Sequence, residues 1–211
     1  MTALEYLRDP DAIYARSFEL IRAETDMSRL PATARKIAER IVHACGMPEV
    51  GAELRISDDF VPSAKVALKS GTAILTDAEM VKSGIIAAKV PAGVRLYCHL
   101  NDPAAREIGI REKTTRSAAA VDLWLPYLHN AIVVIGNAPT ALFALLEHLD
   151  AGAPRPAAII GLPVGFVGAA ESKDELLRNP RGVPYLTLPG RRGGSAMAAA
   201  AVNALLIEAA S

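Results

Sequence analysis

The chain lacks the features that would send it to a charged polymer or a membrane. Its 211 residues carry 23 Lys and Arg against 23 Asp and Glu, a formal net charge of zero. No general electrostatic pull therefore draws it to nucleic acid or to an anionic bilayer, and any partner must be recognised by a local site. That points to a small molecule or a protein. The two cysteines, Cys45 and Cys98, lie in apolar segments far from any CxxC spacing and read as reduced core thiols. The first residues, MTALEYLRDPDAIYARSF, include acids and hold no long apolar run. Neither a signal peptide nor a membrane anchor is expected, and the cytoplasm is the expected compartment.

Catalytic signatures are also scarce. GxSxG, GxGxxG and the P-loop lysine pattern do not occur, which argues against nucleophile-elbow hydrolysis, redox and nucleotide-driven chemistry. Of four histidines, His99, His129 and His148 are scattered, and no HxxxH or HxH pair accompanies His43. No metal site is expected.

What is present is a regular alternation. Residues 11 to 45 read as helix: DAIYARSFELIRAE has 3.6-type spacing, and PATARKIAERIVHACG begins on a proline and stops at Gly46. The rhythm then changes to short apolar runs, ELRIS, TAILT, VRLYCHL, AIVVIG, AAIIG and VPYLTL, separated by helical stretches such as APTALFALLEHLDAG and GSAMAAAAVNALLIEA. Unbroken hydrophobicity in AIVVIG and AAIIG predicts strands covered on both faces. The expected fold is one three-layer α/β domain over 1–211, a mainly parallel sheet of five or six strands with an N-terminal helical segment. The alanines at 198 to 201 suit a helix packed closely on that sheet.

Ligands of such sheets bind beyond the carboxyl ends of the strands. The loops there are TDAEM, HLNDPA, GNAPTA, GLPVGFVGAAESK and PGRRGGSA, rich in residues that admit close backbone approach or leave helix amides for anions. Ordinary turn chemistry accounts for parts of them: Thr76 with Glu79 forms a capping box on paper, and Asp102-Pro103 a helix start. GNAPT and GGSA, with Ser195 opening a helix, read as anion cradles for a phosphorylated ligand.

His43 stands in the last turn of its helix. A helical wheel gathers Ala34, Ile37, Ala38, Ile41, Ala44 and Cys45 into one apolar stripe and sets His43 opposite, with Lys36, Glu39 and Arg40. A packed core histidine is disfavoured; a surface histidine and a general acid both remain. The helix C-terminus, with unpaired carbonyls and the negative end of the macrodipole, stabilises an imidazolium and suits the second.

RIVHACG, TDAEMV, TRSAAA, GNAPTALF, PVGFVGAAESK and GGSAMAAAAVNAL, taken together and in this order across nearly the whole chain, resemble the precorrin-8X methylmutase family, in its aerobic-pathway form. The resemblance implies a flavodoxin-like fold, a homodimer with sites near the subunit interface, and no external cofactor. It also implies an isomerisation of precorrin-8X to hydrogenobyrinate, with a methyl group moving from C-11 to C-12. It puts the acid/base on His43 and substrate contacts on Ser17 and Arg116, then on Thr76, Asp77, Asn137 and Lys173. The alternatives are plain: Ser17 exposed on its helix, Asp77 and Asn137 as helix caps, Lys173 as a solvated charge. Arg191 and Arg192 of LPGRRGGS are not separated by sequence. A non-catalytic corrinoid carrier using the same cleft is the rival reading.

Overall fold

The computed structural model describes residues 4–210. Asp9 opens helix α1 (Pro10–Glu24): its carboxylate accepts the Ala12 amide at 2.7 Å, and Pro10 takes a first-turn position that needs no amide. A 3-10 turn leads into α2 (Arg35–Cys45), which ends where Gly46 adopts φ +67 and its amide donates to the Val42 carbonyl at 2.8 Å. A short α3 (Glu49–Glu53) precedes β1 (Arg55–Ile56), α4 (Phe60–Lys69), β2 (Ala73–Thr76), α5 (Glu79–Gly84) and β3 (Arg95–Cys98). Then come α6 (Pro103–Arg111), α7 (Arg116–Asp122), β4 (Ile132–Ile135), α8 (Pro139–Asp150), β5 (Ala158–Gly161), α9 (Ala169–Arg178), β6 (Tyr185–Thr187) and α10 (Ser195–Ala210). Every run expected to be a strand contains one.

The six strands form one sheet in the order β1-β6-β5-β4-β2-β3. β2 to β6 pair in parallel, with Ile74 beside Ile132 and Ile132 beside Ala158, and only the short β1 runs antiparallel to β6. Without β1 this is the flavodoxin order, in which the chain reverses direction between β2 and β4. Alternate strand residues feed two cores. Ile74, Ile132, Val134 and Ile160 face α2, α4 and α10; Leu75, Val133, Ile135 and Ile159 face α7, α8 and α9. Each such side chain, buried fully, stabilises the fold by roughly 1.5–3 kcal/mol, and this two-sided burial is why AIVVIG shows no polar alternation.

Helix α10 lies directly on the sheet because its alanines are small: Ala198 and Ala201 are fully buried. The contact extends to Gly136 at the end of β4, where a Cβ would stand 2.7 Å from that of Ala198. Two local expectations fail. Thr76 forms no capping box with Glu79; it is the last residue of β2, its hydroxyl donates to the Tyr97 carbonyl at 3.0 Å, and Ala78 is the N-cap of α5. Cys45 and Cys98 are free but half-buried rather than core thiols, since each sits at the end of its element.

Candidate active site

His43 lies on the exposed side of α2, in its last turn, and α1 packs alongside. The spacing in YARSF puts Tyr14, Ser17 and Phe18 on one face of α1, since positions three and four apart are neighbours on a helix. All three meet His43. The Ser17 hydroxyl is 2.9 Å from Nδ1. The Phe18 ring stacks on the imidazole with centroids 5.0 Å apart and planes 22° from parallel, and Tyr14 is 6.3 Å away. One imidazole face and one nitrogen are thus held, leaving Nε2 for proton exchange.

Arg40, one turn before His43, completes the cluster. Its guanidinium hydrogen-bonds the Tyr14 hydroxyl and stands 5.6 Å from the Phe18 ring centroid, a cation held against aromatic faces. The neighbouring groove, about 490 Å³ between α1, α2 and α10, is edged by Arg22, Lys36 and Arg40. Arg22 makes a forked pair with Glu39, both contacts at 3.1 Å, and Lys36 pairs with Glu208 at 2.8 Å.

The wheel needs correcting here. Glu39, set on the solvent side with His43, is buried, and Ala44, set in the apolar stripe, is exposed. A wheel describes one helix alone, whereas α1 crosses α2 and covers part of the side left for water. Sequence reasoning passed over Tyr14, Phe18 and Arg40; the available signal was the i, i+3, i+4 pattern Tyr14-Ser17-Phe18.

A second set of predicted residues meets at the chain reversal between β2 and β4. Asp77 is almost wholly buried, and its carboxylate accepts three backbone amides: Gly136 at 2.9 Å, Asn137 at 2.9 Å and Ala138 at 2.7 Å. Burial pushes the Asp77 carboxyl upward and the amides pull it back. The N-terminal approach to α8, where GNAPT reads as an anion cradle, is therefore filled by the protein's own carboxylate. In GGSA the Gly194 amide donates to the Leu162 carbonyl at 2.9 Å, so that amide is also spent. Asn137 is half-exposed at the rim of this loop.

Lys173 is fully buried, not a solvated charge, and its ammonium donates to the Arg192 carbonyl at 2.6 Å. Desolvation lowers its pKa to about 8. Arg192 pairs with Glu49 at 3.2 Å and with Glu53 of α3. Arg116 opens α7 behind the Thr115 cap and is exposed beside Asp102 and Arg106. It belongs to the helix layer opposite that of α2. Ser17 and His43 are thus brought into contact, Thr76, Asp77 and Asn137 cluster at the sheet edge, and Arg116 stands apart.

The family model described as precorrin-8X methylmutase matches residues 12–208. A precorrin-8X methylmutase from Pseudomonas aeruginosa is 53% identical over 205 residues, covering 97% of this chain and 99% of that protein. A cobalt-precorrin-8 methylmutase from Methanothermobacter thermautotrophicus is 41% identical over 92% of this chain and 91% of its own. A solved precorrin-8X methylmutase from Thermus thermophilus superposes with a TM-score of 0.86 at 35% identity, covering 95% of this chain and 96% of that one.

Proposed function

The chain belongs to the precorrin-8X methylmutase family, isomerases of cobalamin biosynthesis, and from that premise we propose that it converts precorrin-8X to hydrogenobyrinate, moving a methyl group from C-11 to C-12 with His43 as acid and base. The observation that carries this reading is the Ser17 contact to Nδ1 of His43 at 2.9 Å. Protonating ring C raises the electron demand at the carbon that receives the methyl group, and the same imidazole retrieves the proton as the conjugated product forms. Such a group contributes roughly 10²- to 10⁴-fold, and orientation of the macrocycle supplies more.

The substrate carries acetate and propionate carboxylates around an apolar ring, and guanidinium groups suit them. Arg40 and Asn137 join Ser17 and Arg116 as proposed contacts. Thr76, Asp77 and Lys173 spend their polar atoms inside the protein, and their proposed role is to hold the loops that line the site. A homodimer fits the exposed apolar side chains along the N-terminal segment and α1, among them Leu4, Tyr6, Leu7, Ile13 and Leu20. It would also let Arg116 act across an interface. The higher identity to the precorrin-8X enzyme than to the cobalt-precorrin-8 one favours a metal-free substrate, and comparing rates on the two forms tests it. Among the described residues no helix is long and apolar enough to cross a membrane; the cytoplasm is the proposed location.

The test is His43→Ala. It is expected to bind corrinoid while the visible spectral change of precorrin-8X turning into hydrogenobyrinate slows by roughly 10²- to 10⁴-fold. Full turnover by this variant would overturn the mechanism, and binding without turnover by the wild-type protein would favour the carrier.

A further inference from the structure

Beyond β5 and β6 the chain builds a double loop that the His43 site does not use. Residues 162–168 and 190–194 are tied to each other: the Gly165 amide donates to the Arg191 carbonyl at 3.2 Å, and the Gly194 amide to Leu162. Gly193 lies so close that a Cβ there would stand 2.3 Å from the Leu162 carbonyl oxygen.

Within this pair of loops the two adjacent arginines have different fates. Arg192 is held on both sides, its guanidinium by Glu49 and Glu53 and its carbonyl by Lys173. Arg191 points outward and lies over the Phe166 ring, 5.3 Å from its centroid. Its guanidinium makes no hydrogen bond or ion pair among the described residues. Around it the surface is strongly apolar. Phe166 is 83% and Val167 89% exposed, between Gly165 and Gly168, whose positive φ angles turn the tip outward.

We propose that Phe166, Val167 and Arg191 form a substrate subsite in which the apolar tip covers one face of the macrocycle edge and Arg191 pairs with a peripheral carboxylate. The inference rests on the proposed tetrapyrrole substrate. Three observations select that occupant. A lone guanidinium beside an exposed aromatic plate matches an apolar ring fringed with carboxylates. The loops stand beyond the carboxyl ends of parallel strands, where ligands of such sheets bind. Finally, the cleft beneath them, about 270 Å³, is also lined by Met47, just past the end of the helix that carries His43. A cleft of that size takes a ring edge and one side chain, not the whole macrocycle. The assignment also separates the two arginines: Arg191 recognises substrate, and Arg192 secures the loop.

The experiment compares Arg191→Ala, Phe166→Ala and wild type by steady-state turnover of precorrin-8X and by absorbance titration with hydrogenobyrinate. A second ligand has its peripheral carboxylates converted to amides. Arg191→Ala is expected to raise KM and Kd by about tenfold or more, the scale of a lost charge-assisted contact, and Phe166→Ala by about tenfold through lost apolar burial, with kcat within about threefold in both. Arg191→Ala is further expected to shrink the wild-type preference for the carboxylate ligand over the amide by about the same factor, which a purely structural defect would not do. Unchanged KM in both variants, or an undiminished carboxylate preference in Arg191→Ala, overturns the subsite alone. So does a change in sedimentation without a change in KM, because the tip would then be a subunit contact. Wild-type protein that neither binds nor converts the corrinoid overturns the functional reading and the subsite together.

Discussion

The corner where α1 crosses α2 and the crevice between β2 and β4 are opposites. The corner is open, made of side chains from two helices, and holds a histidine whose second nitrogen has no partner among the described residues. The crevice is closed: Asp77 already satisfies the amides of Gly136, Asn137 and Ala138. In a sheet of this order the crevice is the usual ligand position. Filling it with an internal carboxylate turns it into a structural joint, and the proposed chemistry falls to the helix corner.

Substitutions can break that contrast, and the largest effect belongs to the corner. His43→Ala should lower kcat by roughly 10²- to 10⁴-fold with an unchanged melting curve, measured by the visible conversion assay and by calorimetry. Asp77→Ala should do the reverse. Stranding three amides costs about 3 kcal/mol or more, seen as a lower urea midpoint, while the activity of the molecules still folded falls less than in His43→Ala. Ser17→Ala should cost about tenfold in kcat, the scale of one positioning hydrogen bond, and Ser17→Thr, which keeps a hydroxyl, should recover much of it. An unchanged kcat in Ser17→Ala would mean that Ser17 does not position the imidazole.

The smallest expected effect concerns Lys173. Its folded pKa of about 8 lies below the ordinary lysine value, so between about pH 8 and 10.5 the unfolded chain binds more protons than the folded one. Stability contributed by this residue therefore rises with pH across that window. The neutral amine still donates to the Arg192 carbonyl. Lys173→Met should flatten the rise in melting temperature from pH 8 to 10.5; an equal rise in both proteins would count against this account.

Much of the architecture was legible in the residues. Runs such as AIVVIG and AAIIG announce strands buried on both faces because an unbroken apolar stretch of that length has no solvent side. Asp102-Pro103 marks a helix start that forms as read, with Asp102 accepting the Ala104 amide at 2.9 Å. The Thr76–Glu79 box was misread because Thr76 pairs with a neighbouring strand far away in sequence, and no local pattern encodes that competitor. Of the site, the position of His43 at a helix end was legible, whereas the spacing that groups Tyr14, Ser17 and Phe18 on one helix face was present but passed over.

Local periodicity and turn chemistry thus determine the elements of this protein and their order, because they act over a few residues. Which elements meet is decided by packing over the whole chain. Only the tertiary structure sets Ser17 against His43 across 26 positions of sequence, closes the crevice with Asp77, and turns Arg191 outward while Arg192 is tied down. Each of these depends on a contact whose partner lies far along the chain, and the energy that selects it comes from burying two surfaces at once.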